Sequence, residues 1–146
     1  MANLTHLNPK SGSPPYKGLF SNCTIVPPNT SLAYISTQWA ADPSTGELIE
    51  GVAGDYGKQS KVIWGNLVQI LKELGATMKD VVHTTACFKE FNDEIGKEVV
   101  EAWVSVMPDK WKGDMFKPSL TFNGPAHFHR LGIVYSVQLV VAVPPK

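Results

Sequence analysis

Apolar residues change their spacing along the chain, from alternate positions to steps of three and four and back, and each change predicts an element. Leu32 to Gln38 is β-rich, and Asp42-Pro43-Ser44-Thr45-Gly46 carries the residues of a tight reversal, with Glu47 to Ile49 returning as a short strand. Gly51 and Gly54 punctuate the exit, and Asp55 is placed to cap a helix. Within that helix Val62, Ile63, Leu67, Ile70, Leu71 and Leu74 form one apolar stripe, which Gly75 terminates. Val81 to Phe88 then reads as a buried strand.

Asn92 followed by Asp93 and Glu94 predicts the start of a second helix, whose stripe is Ile95, Val99, Ala102, Trp103 and Val106 and whose end is Pro108. Strands are expected near Ser119 to Phe122 and from Gly132 to Val143, and shorter ones at Tyr16 to Phe20 and Cys23 to Val26. Residues 1–15 show no periodicity and are read as a loose arm before a single domain of residues 16–146. The fold class is α+β: a single-layer mixed sheet with two helices on one face. The other face, rich in Val, Ile, Thr and Tyr, is expected to be covered by self-association.

Composition narrows the chemistry. The 146 residues are 43% hydrophobic and 18% charged, as in a globular domain. Basic and acidic residues both number 13, so there is no net field to attract nucleic acid or anionic lipid. Cys23 and Cys87 lie far apart, which favours two reduced, packed thiols. No run reaches the roughly 18 apolar residues of a membrane span, and residues 1–15 lack the apolar core of a signal peptide, so a cytoplasmic protein is expected.

Five segments together resemble the Rid family, the reactive intermediate deaminases also described as YjgF-like proteins. They are Tyr34-Ile35-Ser36-Thr37-Gln38, Asp42 to Glu47, Leu74-Gly75-Ala76, Asp80 to Thr85, and Glu90-Phe91-Asn92-Asp93. The resemblance covers about Tyr16 to Val143. It implies a chorismate-mutase-like fold, a homotrimer with a central sheet barrel, and small-molecule clefts between subunits. Orthodox members hydrolyse imines or enamines made from amino acids, without metal or organic cofactor.

Such chemistry needs a cation for the substrate carboxylate, and arginine suits it because its planar fork meets a carboxylate with two parallel bonds. The stretch matching the family's arginine reads Phe116-Lys117-Pro118-Ser119-Leu120-Thr121-Phe122, with Ser119 or Leu120 in the arginine's place. The family's water-activating glutamate falls at Gln138, whose amide orients water but cannot take its proton. The resemblance carries over Tyr16, Ser36, Thr37, Gln38, Asn92 and Thr121 as cleft positions.

His127 and His129 flank Phe128, so in an extended segment both imidazoles point the same way and could replace the carboxylate as acid and base; a rim or packing role is the alternative. A His-x-His pair lacks a third metal ligand nearby, so no metal is expected. Arg130 is either a relocated carboxylate clamp or a loop arginine, and Lys117 reads as solvated. His83 is read as a hydrogen-bonded structural histidine. Trp39 is the tryptophan nearest the cleft, whereas Trp64 and Trp103 are assigned to helix packing.

The expectation is a cofactor-free trimeric enzyme acting on a reactive imine, enamine or enol, less acidic than a 2-imino acid, through His127 or His129 with Tyr16, Gln138 and Gln38. Two alternatives stand beside it: orthodox 2-imino acid deamination with Arg130 as clamp, and a non-catalytic ligand-binding or chaperone-like trimer.

Overall fold

The structure is a computed structural model and describes residues 3–146. Its main sheet is formed by β3 (Ser31–Gln38), β4 (Val81–Phe88), β5 (Ser119–Asn123) and β6 (Tyr135–Val143) in the order β3-β6-β4-β5. β6 is antiparallel to both neighbours, while β5 runs parallel to β4. Helices α1 (Tyr56–Glu73) and α2 (Asp93–Val106) cover one face, as the two apolar stripes require.

Local signals set the helix boundaries. The carboxylate of Asp55 accepts the N–H of Lys58 at 2.9 Å, and Gly75 adopts a left-handed conformation with φ 70° just past the end of α1. Asn92 caps α2 in the same way, its side-chain oxygen accepting the N–H of Ile95 at 2.9 Å. α1 then packs on the sheet through Ile63, Trp64, Leu67 and Leu71, and the hydroxyl of Ser60 donates to the carbonyl of Val99 on α2 at 2.8 Å.

Strand alternation divides the sheet chemically. Tyr135, Val137, Leu139 and Val141 of β6 and Thr84, Ala86 and Phe88 of β4 are buried on the helix side. The opposite face presents Tyr34, His83, Thr85 and Gln138. Tyr34 is 76% exposed there, in keeping with the uncovered face expected from sequence.

Four expectations are corrected. Tyr16 to Phe20 is not a strand: Tyr16–Gly18 forms a 3-10 turn, because Lys17 (φ 50°) and Gly18 (φ 68°) are both left-handed and break any extended repeat. Residues expected in the loose arm form β1 (Thr5–Leu7), paired antiparallel with β2 (Cys23–Ile25) and joined across it by His6 Nδ1 and Thr24 Oγ1 at 3.1 Å; Met1 and Ala2 lie outside the described residues. The return over Glu47 to Ile49 reduces to one bridge between Ala41 and Leu48. β6 begins at Tyr135 rather than Gly132, because the preceding backbone is bonded to α1 instead of to a strand.

Candidate active site

A cavity of about 390 Å³ lies between α2 and the helix side of the sheet. β5 directs Leu120 and Phe122 into it, β4 contributes Phe88, and the helices contribute Trp64 and Trp103. Its walls are two aromatic groups. Trp64 and Trp103 stack at 4.2 Å between centroids and 14° between planes, while Phe88 meets Phe91, Phe122 and Tyr135 at 5.0–5.6 Å. The indole N–H of Trp64 donates to the hydroxyl of Tyr135 at 3.2 Å and ties the two groups together. Burial pushes the Tyr135 hydroxyl far above its ordinary range, so it remains a neutral donor.

Charge is confined to the rim. Tyr16 packs edge-on against Phe91 and donates its hydroxyl to the Asp93 carboxylate. Lys17 stands 3.5 Å from the same carboxylate. The bond from Tyr16, then the Lys17 ammonium, hold Asp93 below the usual carboxylate range. Asp93 therefore offers an ionised acceptor at the mouth at neutral pH.

The sequence-predicted residues fall in three separate places. Tyr16 stands at the cavity mouth, with Asn92 next to its partner Asp93 but engaged as a helix cap. Ser119 and Thr121 point to the opposite face, where His83 joins them: Nδ1 lies 2.7 Å from Ser119 Oγ and Nε2 lies 3.0 Å from Thr121 Oγ1. Burial lowers the His83 pKa, favouring neutral imidazole. Gln138 shares that face and donates to Thr37 Oγ1 at 2.5 Å, beside a groove of about 210 Å³ that includes Ser36 and Thr85. Gln38 folds back on the β3 bulge, its amide donating to the carbonyl of Ser36 at 3.1 Å.

Trp39, His129 and Arg130 form the third group. His129 meets the Trp39 ring edge-on at 4.9 Å, and the Arg130 guanidinium lies 5.6 Å from the same ring while pairing with Glu47. None of these three lines the cavity. His127 is exposed on the irregular segment between β5 and β6 and has no hydrogen-bond partner among the described residues, and that segment is not the extended strand in which both imidazoles would align. Ser119 and Leu120, the two candidates for the clamp position, face opposite sides of the sheet, and neither is charged.

Sequence reasoning passed over Asp93, Phe91 and Tyr135, and gave Trp64 and Trp103 only a packing role. The alternation Ser119-Leu120-Thr121-Phe122 was the available signal, since it sends one apolar pair and one hydroxyl pair to different faces. Among the described residues, no group of three or more His, Cys, Asp or Glu side chains is placed to hold a metal ion. No helix among them is long and apolar enough to cross a membrane.

Residues 14–116 match the family model described as Endoribonuclease L-PSP. The chain belongs to this family, the Rid/YjgF group. Among solved structures of Rid proteins, a conserved member of unknown function from Yersinia pestis superposes with a TM-score of 0.74 at 18% identity, covering 96% of this chain and 98% of that one. RidA from the Antarctic bacterium Psychrobacter gives 0.58 at 20% identity, covering 94% of each. Both likenesses establish the Rid fold.

Curated Rid relatives include a RutC family protein of Pyrococcus abyssi, 38% identical over 60 residues, 41% of this chain and 45% of that protein. The rat protein named 2-iminobutanoate/2-iminopropanoate deaminase is 34% identical over 83 residues, 57% of this chain and 56% of its own length. The aligned part thus spans about half the length of these curated relatives.

Proposed function

We propose that this Rid protein is a cofactor-free enzyme acting on a reactive imine, enamine or enol that carries no carboxylate at the reacting carbon. The observation that carries this reading is the uncharged character of both clamp candidates, Ser119 and Leu120, with Leu120 set in an aromatic cavity. Lys17 and Lys97 at the rim are already paired with Asp93 and Glu101, so an anionic substrate would lose its hydration beside Leu120 with no unpaired cation to meet it, which costs several kcal/mol or more. A neutral intermediate meets no such penalty.

The proton work falls to Tyr16 with the ionised Asp93 at the mouth, and to His127 reaching the cleft from a neighbouring copy in a homotrimer. The homotrimer is supported by the uncovered sheet face and its exposed Tyr34. His129 and Arg130 are committed to Trp39 and Glu47 in their own chain. Excluding water from the cavity protects the intermediate from uncontrolled side reactions until it meets the catalytic groups.

A second reading is orthodox 2-imino acid deamination, favoured by the name of the rat relative, 2-iminobutanoate/2-iminopropanoate deaminase. One experiment separates the readings. 2-Iminobutanoate and 2-iminopropanoate, generated in situ by an amino-acid oxidase, are compared with a neutral imine and a neutral enamine of similar size. Acceleration of only the neutral compounds is expected. Acceleration of the 2-imino acids would overturn the proposal, and saturable binding without turnover of any compound would favour a non-catalytic binder.

A further inference from the structure

Seven aromatic residues contribute to the cavity lining: Tyr16, Trp64, Phe88, Phe91, Trp103, Phe122 and Tyr135. A site that needed only apolarity could be built from aliphatic side chains, which dominate the rest of the core on β6 and α1. Rings concentrate here, on both sides of one space. The Trp64–Trp103 stack forms the helix-side wall, and the mutually tilted rings of Phe88, Phe122 and Tyr135 form the sheet-side wall. A flat stack on one side and tilted rings on the other complement a flat ligand, because ring faces and edges gain offset-stacked and edge-to-face contact that a puckered ligand cannot make.

Two buried polar groups give the space a direction, the Tyr135 hydroxyl and the Trp103 indole N–H, the latter without a hydrogen-bond partner among the described residues. The Tyr135 oxygen accepts the Trp64 indole N–H, which leaves the tyrosine's own hydrogen to be donated elsewhere, and it meets no acceptor among the described residues. Tyr135 is 2% exposed, so water outside the cavity does not serve it. A buried donor without an acceptor is unfavourable, and a ligand acceptor placed against it recovers that cost.

We infer that the cavity takes a planar aromatic ligand bearing a hydrogen-bond acceptor, held between the Trp64–Trp103 stack and the phenyl rings with its acceptor on the Tyr135 hydroxyl. This assignment rests on the cavity being the reaction site proposed above, and it narrows the substrate to an aromatic imine or enol whose ring nitrogen or carbonyl oxygen is the acceptor. The volume of about 390 Å³ lies within the roughly 300–1,000 Å³ typical of small-molecule sites, enough for a fused bicyclic ring system.

The test uses three neutral probes of one size in saturation-transfer NMR titrations of the full chain: quinoline, naphthalene, and decalin, which is puckered. Quinoline is expected to bind saturably and more tightly than naphthalene, and decalin more weakly than either. Tyr135→Phe is expected to weaken quinoline by about tenfold and leave naphthalene unchanged. Leu120→Trp, which fills the cavity, is expected to abolish both. The inference is overturned if quinoline does not saturate, if decalin binds as well as naphthalene, or if Leu120→Trp leaves binding intact. Should Tyr135→Phe fail to fold, the ligand ranking and Leu120→Trp still decide. Quinoline binding without turnover of any neutral imine would sink the proposed reaction and leave the ligand assignment standing.

Discussion

The side-chain carbonyl of Gln59 on α1 accepts the backbone N–H of Val134 at 3.0 Å, across 75 residues of sequence. The same amide donates to the carbonyls of Val52 at 2.9 Å and Gly132 at 2.6 Å. A single buried side chain thereby fastens the entry to α1 and the entry to β6 to each other, and so sets where Tyr135 begins the last strand.

Replacing this amide should be costly. Gln59→Leu strands the N–H of Val134, while the carbonyls of Val52 and Gly132 keep the N–H groups of Asp55 and Gly54 as partners, so the expected loss is about 1–3 kcal/mol. Urea unfolding of the variant would measure it; a change under 1 kcal/mol would show that other groups replace the amide.

Gly132 supports the same junction. Its φ is 89°, and a Cβ there would stand 2.9 Å from the Cβ of Ala53. Gly132→Ala combines backbone strain with a clash and is expected to destabilise by about 1–3 kcal/mol or more. Thermal unfolding would check it: a midpoint within a degree of the wild type contradicts the account.

His83 should make stability pH-dependent on the acid side. Burial lowers its pKa below 6.5 in the folded chain, so between the two values the unfolded chain binds more protons. Stability from this group is complete above the unfolded pKa and is lost as pH falls through the folded one. Melting midpoints should therefore decline below about pH 6.5, and His83→Gln should flatten part of that decline. An NMR titration placing the His83 pKa above 6.5 would refute the sign.

At the cavity mouth, Tyr16→Phe removes the largest influence holding Asp93 ionised at low pH. The Asp93 pKa should rise, and turnover of a neutral imine should fall about tenfold or more, in line with the usual contribution of a positioned proton donor or acceptor. Carbonyl NMR of Asp93 and steady-state rates read the two effects separately. An unchanged pKa would mean that the hydroxyl does not bond the carboxylate in solution.

Loop histidines offer a contrast. His127→Ala is expected to reduce kcat by about a hundredfold if it serves a neighbouring copy as acid or base, whereas His129→Ala loosens the packing on Trp39 and should change kcat far less. Equal, negligible effects of both substitutions would remove His127 from the reaction.

What was legible in the sequence was local. The Asp55 and Asn92 caps, the Gly75 stop and the alternation of β4 all act within a few residues, and each stands where the pattern placed it. The turn at Tyr16–Gly18 was not legible, because its left-handed residues bring Tyr16 and Lys17 to Asp93, a partner 77 residues from Tyr16. Gln59 was passed over for the same reason: a polar residue beside an apolar stripe looks solvated until a distant loop supplies its partners. The aromatic cavity required helix, strand and rim residues at once, and no single window contains them.

Strand β5 carries two kinds of chemistry on alternate residues, with Ser119 and Thr121 bonded to His83 on one side and Leu120 and Phe122 in the aromatic space on the other. The connection from α2 to β5 therefore acts as a ruler. Substitutions along it can be absorbed, but gaining or losing one residue would turn the strand over, delivering hydroxyls to the rings and rings to the histidine. Among descendants of this chain, the length of that connection should be held more tightly than its composition.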